Sequence, residues 1–258
     1  MVPYIKSEVY RLIRYKWIYV FIIICSGLLL SSNIILAAVK YADSSFIWAN
    51  TYFSFSNVYN SMVMVYILCI MVSNMIFGNE HTNHTMKNSI SYGISRGTIY
   101  FGKLLVQMVY SLIAFTIIIG VHVISAYLLL EHSGTSELIM LIRSCTACTP
   151  LLLFGLAASN CFVFNIEGSG AVAASSGLMI VLPLVSNMLG MRFRMFAELS
   201  KILPWNIMNY SSYDPALKQL FMYWSTNSGY LKCWIYGMIQ MAVIAVIGYF
   251  WFRKKEIK

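Results

Sequence analysis

The stretch GNEHTNHTMKNSISYGISRGTIYFGK, residues 78–103, is a strongly polar island between two long apolar blocks. A spanning helix needs about 20 predominantly apolar residues. Residues 58–77 before the island and 104–130 after it each meet that length without a charge. Working outward, residues 17–39, 144–164, 171–189 and 233–252 meet it as well. The fold class that follows is an all-α integral membrane protein with six transmembrane helices, one domain over residues 1–258. Composition agrees: 59% of the residues are hydrophobic and 10% are charged, and the mean hydropathy of +0.71 excludes an ordinary soluble domain.

Six spans leave both termini on one side, and the positive-inside rule chooses the side. Lys6, Arg11, Arg14, Lys16, Lys87, Arg96, Lys103, Arg253, Lys254, Lys255 and Lys258 fall with the termini and the 78–103 loop. Lys40, Arg143, Arg192, Arg194, Lys201, Lys218 and Lys232 fall opposite. The termini and the loop are therefore expected in the cytoplasm. The net charge of +9 is the charge of membrane flanks beside anionic lipid, and it marks no nucleic-acid surface.

At the N-terminus the first apolar run is too long for a signal-peptide core, so it is expected to stay as a span. Residues 4–16 read as an amphipathic helix in the inner interface, with Ile5, Val9, Leu12 and Ile13 on one side and Lys6, Arg11 and Arg14 on the other. The outer segment, 190–232, predicts two short extracellular helices. One covers 196–203 and is stopped by Pro204; the other is capped by Asp214, begins at Pro215 and continues through Leu217, Leu220, Phe221 and Trp224.

Chemistry is sparse. His81 and His84 stand beside Glu80 without the further ligands that zinc requires. Cys145 and Cys148 lack a second pair, and all six cysteines read as packing residues. His122 is the one ionisable residue well inside a span, and no acid sits at mid-span, which argues against an ion-coupled carrier and an intramembrane protease. Asn33, Asn74, Asn160, Asn187 and Gln240 are polar groups for interhelical hydrogen bonds or substrate, with Asn33, Asn74 and Asn187 taken as pathway candidates. No Gly-x4-Gly-Lys-Ser/Thr phosphate loop occurs, so energy for transport would come from another polypeptide.

The loop then predicts a short cytoplasmic helix from Asn83 to a left-handed Gly93, with Met86, Ile90 and Ile94 on its apolar face. Ser95 is placed to cap the third span. Glu80, then Thr85-Met86-Lys87, then Ser95-Arg96 leading to Lys103 resemble the first cytoplasmic loop of the permease subunits of ABC type-2 transporters. Within that family the chain is similar to the small permeases of lantibiotic or bacteriocin immunity and drug export. His84 stands where the family often has Gly, and Gly93-Ile94 where it often has Pro.

The resemblance implies that the loop is a coupling helix. With the N-terminal helix it would dock in a groove of a separate ATP-binding cassette subunit through Glu80, Thr85, Met86, Lys87, Ile90 and Arg96. It implies two copies of that subunit, which hold ATP and magnesium, and a second permease, the same or homologous. It also implies a bacterial cytoplasmic membrane and a pathway between permeases along the first, second and fifth spans. This chain carries no catalytic residues, cofactor or metal of its own on that reading. The cargo expected is hydrophobic or amphipathic, an antimicrobial peptide first. Multidrug, lipid or ion export and a non-transporting sensor or assembly subunit are the alternatives.

Overall fold

The computed structural model describes residues 2–78, 85–214 and 219–255. Helix α1 (Val2–Ile13) precedes α2 (Lys16–Ala42), and α3 (Thr51–Asn60) runs into α4 (Met62–Phe77). The short α5 (Thr85–Ser91) leads to α6 (Arg96–Leu129) and α7 (Ser136–Asn165). Helices α8 (Ser169–Ser176) and α9 (Leu182–Gly190) are joined by a π-helical turn, Gly177–Val181. The distal segment holds α10 (Arg194–Ser200), α11 (Pro204–Asn209), strands β1 (Ser211–Asp214) and β2 (Gln219–Met222) and a tight 3-10 turn, before α12 (Asn227–Lys254). Among the described residues five helices are long and apolar enough to cross a membrane, counting Ser169–Gly190 as one, and the α3–α4 pair makes a sixth. The protein is thus an all-α multi-pass membrane protein. The end carrying α1, α5 and the end of α12 is called proximal below, the other end distal.

The second span starts earlier than hydropathy places it. Asn50 caps α3, its Oδ1 accepting from the Phe53 N–H at 2.8 Å. The chain bends by 53° between α3 and α4, where Ser61 leaves helical geometry and its N–H turns to the Val58 carbonyl. The polar run Asn57-Val-Tyr-Asn-Ser61 supplies side chains that compete with helical bonding. In the fifth span Pro183 has no N–H to continue the ladder, and the Leu182 N–H reaches back five residues to Gly177.

Helix α7 is the axis of the bundle, with most of its apolar window inside the protein, whereas α2 has few fully buried residues. Apolar attraction between helices is weak in lipid, so close van der Waals approach must hold them. Glycine provides it on α12: a Cβ on Gly237 would lie 2.7 Å from the Pro150 backbone, and one on Gly248 would lie 3.0 Å from Cys161. On α7 a Cβ at Gly155 would press on Met179 and Tyr66 at 3.0 Å.

The distal segment corrects one expectation. Among the described residues Gln219–Met222 form a strand instead of the expected helix: Asp214 pairs with Gln219 and Ser211 with Met222 in an antiparallel pair. Residues 215–218, with Pro215 and Leu217, lie outside the described residues. Asp-Pro is a turn-initiating pair, and Leu220-Phe221-Met222 suits a strand packed on a protein surface. The first distal helix is α10, two residues earlier than expected, and Pro204 opens α11 at its first position, where a missing N–H costs nothing. Ile207, Met208, Met222 and Trp224 are buried in the distal core. Asn206 donates to the Ser200 carbonyl at 2.9 Å, and Gln240 of α12 to the Ile202 carbonyl at 2.8 Å. Gln240 lies about 20 Å along α12 from its distal start, so the α10–α11 connection runs back along the side of α12.

Candidate functional site

The proximal end is organised by α6. Its 34 residues extend about 50 Å, well beyond a hydrocarbon core of about 30 Å, so its first turns project from the membrane with α1 and α5 against them. Helix α5 ends as the sequence predicts: Gly93 has φ +80°, its N–H reaches the Ile90 carbonyl at 2.9 Å, and the Ile94 N–H reaches Ser89 at 3.3 Å. These two bonds satisfy the terminal carbonyls of the helix. Ser95 caps α6 through the Thr98 N–H at 3.2 Å. Ile90 and Ile94 rest against the proximal core of Phe77, Tyr100, Phe164 and Phe252.

Helix α1 has two apolar faces rather than one. Tyr4, Glu8 and Leu12 are buried, whereas Val9 and Ile13 are exposed. At helical spacing Tyr4, Glu8 and Leu12 form one stripe, here turned toward α6. The adjoining Val9 and Ile13 remain for lipid. Gly102 lets the Tyr4 ring close, since a Cβ there would meet it at 3.1 Å. Glu8 sits 2.9 Å from the Lys103 ammonium and 2.8 Å from the Arg11 guanidinium. Both cations also lie over the Phe77 ring, at 5.1 and 5.5 Å. Burial alone would raise the Glu8 carboxyl, and the charges of Lys103 and Arg11 outweigh it and hold the group below its ordinary value. The sequence did offer a signal: one acid in a helix otherwise bearing Lys6, Arg11 and Arg14.

The candidates from the loop divide. Lys87 is exposed on α5, and Thr85 and Met86 lie in the same helix. Glu80, His81, Asn83 and His84 lie outside the described residues. Arg96 points the other way: its guanidinium donates to the carbonyls of Phe252, Arg253 and Lys255 at 3.1, 2.7 and 2.6 Å. It thereby binds the end of α12, where unsatisfied carbonyls attract a cation. Lys255 reaches the Phe164 carbonyl at 3.4 Å and Glu167 at 3.7 Å, tying α7 into the same corner.

Deeper in the bundle the pathway candidates also separate. Asn33 is fully buried between α2, α3 and α6. Its amide donates to Ser125 Oγ at 2.8 Å and to the His122 carbonyl at 3.2 Å, and its Oδ1 accepts from Ser54 at 2.7 Å. Ser54 also meets His122 Nε2 at 3.2 Å. A second buried set joins Gln107 to Ser73 at 2.9 Å and to Asn160. Asn74 donates within its own helix to Ile70. Asn187 is exposed on α9 and bonds Asn206 at 2.7 Å.

Between α2, α4 and α6 lies a cavity of about 630 Å³, walled mostly by aliphatic and aromatic side chains and reaching from Ile18 and Ile76 to Leu36 and Phe53. Neither this cavity nor the ion-pair corner holds a catalytic or metal constellation. Among the described residues no group of three His, Cys, Asp or Glu could hold a metal ion.

Residues 4–186 match the family described as ABC-2 family transporter protein, and the chain belongs to that family. No curated protein and no solved structure matches it. Family membership makes the chain the membrane subunit of an ABC transporter, which works with an ATP-binding cassette protein.

Proposed function

We propose that the proximal end is cytoplasmic and that α5, with the polar side of α1, is the surface that docks on the ATP-binding cassette subunit. The observation that carries this is the mechanical continuity behind α5. Ile90 of α5 and Ile94 just after it pack on the proximal core, α1 is fixed to α6 by Glu8 and Lys103, and α12 is fixed to α6 by Arg96. A push on α5 meets a braced corner. Glu80, Thr85, Met86 and Lys87 are the contact residues on this reading, whereas Ile90, packed on the core, and Arg96 serve as braces. Two cassette subunits, which carry ATP and magnesium, act on two permeases, the same or homologous, in a bacterial cytoplasmic membrane.

The exposed apolar faces of α2 and α9, including Leu28, Ile35, Leu184 and Met188, suit a second permease, with Asn187 beside the path between the two. The cargo is hydrophobic or amphipathic, and an antimicrobial peptide of the lantibiotic kind, exported in self-protection, is the leading candidate. A cavity of this volume belongs to the size class of small ligands, and that favours a lipid or drug as the second reading.

The test is reconstitution with the cassette protein that co-purifies. Lantibiotic-stimulated ATP hydrolysis with peptide transfer supports the first reading. Stimulation by a lipid or hydrophobic drug alone supports the second. ATPase capture with no cargo response indicates a sensor or assembly subunit. Undiminished capture by Lys87→Glu would remove α5 as the docking surface.

A further inference from the structure

The cavity between α2, α4 and α6 is long and narrow. Ile18 and Leu36 line its two ends, and the helix between them rises about 27 Å. A volume of about 630 Å³ over that length corresponds to a free width of about 8 Å, once a water radius is added at each wall. That length and width accept a hydrocarbon chain lying lengthwise.

Its polarity is graded. Among the described residues no charged side chain lines it. Toward the distal end Ser54, Asn57 and His122 come together on its wall, and among the described residues Asn57 makes no hydrogen bond that would occupy its amide. Elsewhere the wall is mostly Phe21, Leu68, Phe115 and similar side chains, broken by Ser32, Ser61, Tyr110 and Ser111, the last with a buried hydroxyl that has no hydrogen-bond partner among the described residues. A peptide threaded here would strand its backbone groups away from partners, at several kcal/mol for each unsatisfied group. A charged headgroup would find no counter-ion. A neutral ester or hydroxyl linkage at Asn57, with an alkyl chain below it, meets both constraints.

Access is lateral. Helix α2 packs chiefly on α6, not on α4, and the cavity is partly open to its surroundings. The polar group lies about 26 Å along α2 from its proximal end, judged by Asn33, which is near the far edge of a hydrocarbon core of about 30 Å.

We infer that each protomer holds a long acyl chain of a membrane lipid in this cavity, with the chain's ester or hydroxyl linkage at Asn57, beside Ser54 and His122. The site does not rest on the docking proposed for α5.

The test uses a lysophosphatidylcholine carrying a diazirine in its acyl chain, added to the full chain in mild detergent and mapped by mass spectrometry after illumination. Saturable adducts are expected within residues 18–36 and 110–122. Ala114→Trp, which fills the cavity, is expected to reduce them at least fivefold, and Ile113→Trp, one residue away but exposed, to leave them unchanged. Cys25→Trp fills the cavity from α2 and serves if the Ala114 variant does not fold. Adducts that never saturate, that spread evenly over Ile124 and Leu128 on the exposed face, or that survive a folded cavity-filling variant overturn the site. ATPase capture on the same preparations reports separately on the docking surface.

Discussion

Lys103 Nζ stands 2.9 Å from Glu8 Oε1, and the two side chains are only 4% and 9% exposed. Removing one partner of a buried pair leaves the other charged and unpaired, typically at a cost of about 3–5 kcal/mol. Glu8→Gln is therefore expected to release α1 from α6, seen as about a hundredfold loss of amide protection in residues 2–13, since each 1.4 kcal/mol is about tenfold. Glu8→Leu combined with Lys103→Met is expected to recover most of it, because an apolar pair of similar shape carries no desolvation cost.

Acid should act on the same contact. The folded-state pKa of Glu8 lies below its ordinary value, so the stabilisation is complete above the unfolded value of about 4.3 and disappears as pH falls through the depressed folded value. Exchange in α1, corrected for intrinsic pH dependence, is expected to be flat from pH 7 to about 5 and to rise sharply below about 4. Glu8→Gln should show no such rise. An unchanged profile in the wild-type chain would show that the pair does not hold the helix.

Arg96 donates to three carbonyls at the end of α12. Hydrogen bonds from a charged donor contribute about 1.5–3 kcal/mol when they close a protected site, and this one is partly exposed, so the lower value applies. Arg96→Ala is expected to expose residues 251–255 to trypsin at Arg253 and Lys254 while the bundle keeps its thermal transition. All three carbonyls gather on one nitrogen, Nη1, which a lysine ammonium can imitate only on a shorter side chain, so Arg96→Lys should rescue only part of the protection.

Glycines on α12 separate packing from propensity. A Cβ at Gly237 meets the Pro150 backbone at 2.7 Å and the Leu151 nitrogen at 2.9 Å, neither of which can move aside. Gly237→Ala is expected to cost about 2 kcal/mol or more, read as a lowered thermal transition in detergent. Gly27→Ala on α2 meets nothing within 4 Å and should be neutral or slightly stabilising, by up to about 1 kcal/mol of helix propensity. Equal effects at the two positions would contradict the close α7–α12 approach.

Lys87 is exposed on α5, and exposed charges set the rate and salt dependence of association more than stability. Lys87→Glu is expected to leave the melting of the bundle unchanged while ATPase capture falls several-fold at low salt and less at high salt. A loss of stability in this variant would mean that the side chain serves the fold instead.

The class of the protein was legible because hydropathy counts residues along one helix at a time. Gly93 and Ser95 were legible for the same local reason: each acts on backbone groups within five residues. The second span shows the limit. Residues 51–57 are too polar to score as membrane, yet Asn50 caps them into a helix that α4 continues after a bend. The hairpin at Ser211–Met222 was read as a helix because Asp-Pro opens turns and helices alike, and only packing chooses between them. Arg96 was read as a docking cation, and nothing near it in the chain points to carbonyls more than 150 residues away. Glu8 was passed over because an acid among bases looks like surface decoration until α6 brings Lys103 to it.

Helix α6 joins two places that could otherwise move independently. Arg96 grips the end of α12, and His122, about 39 Å further along the same proline-free helix, closes the polar end of the cavity. A stiff rod tilting by about 5° about its proximal end displaces the other by about 3 Å, in the range of rigid-body shifts by which proteins switch. The width of the acyl-chain slot and the posture of the proximal corner are therefore one mechanical coordinate: a chain wedged at one end resists rocking at the other.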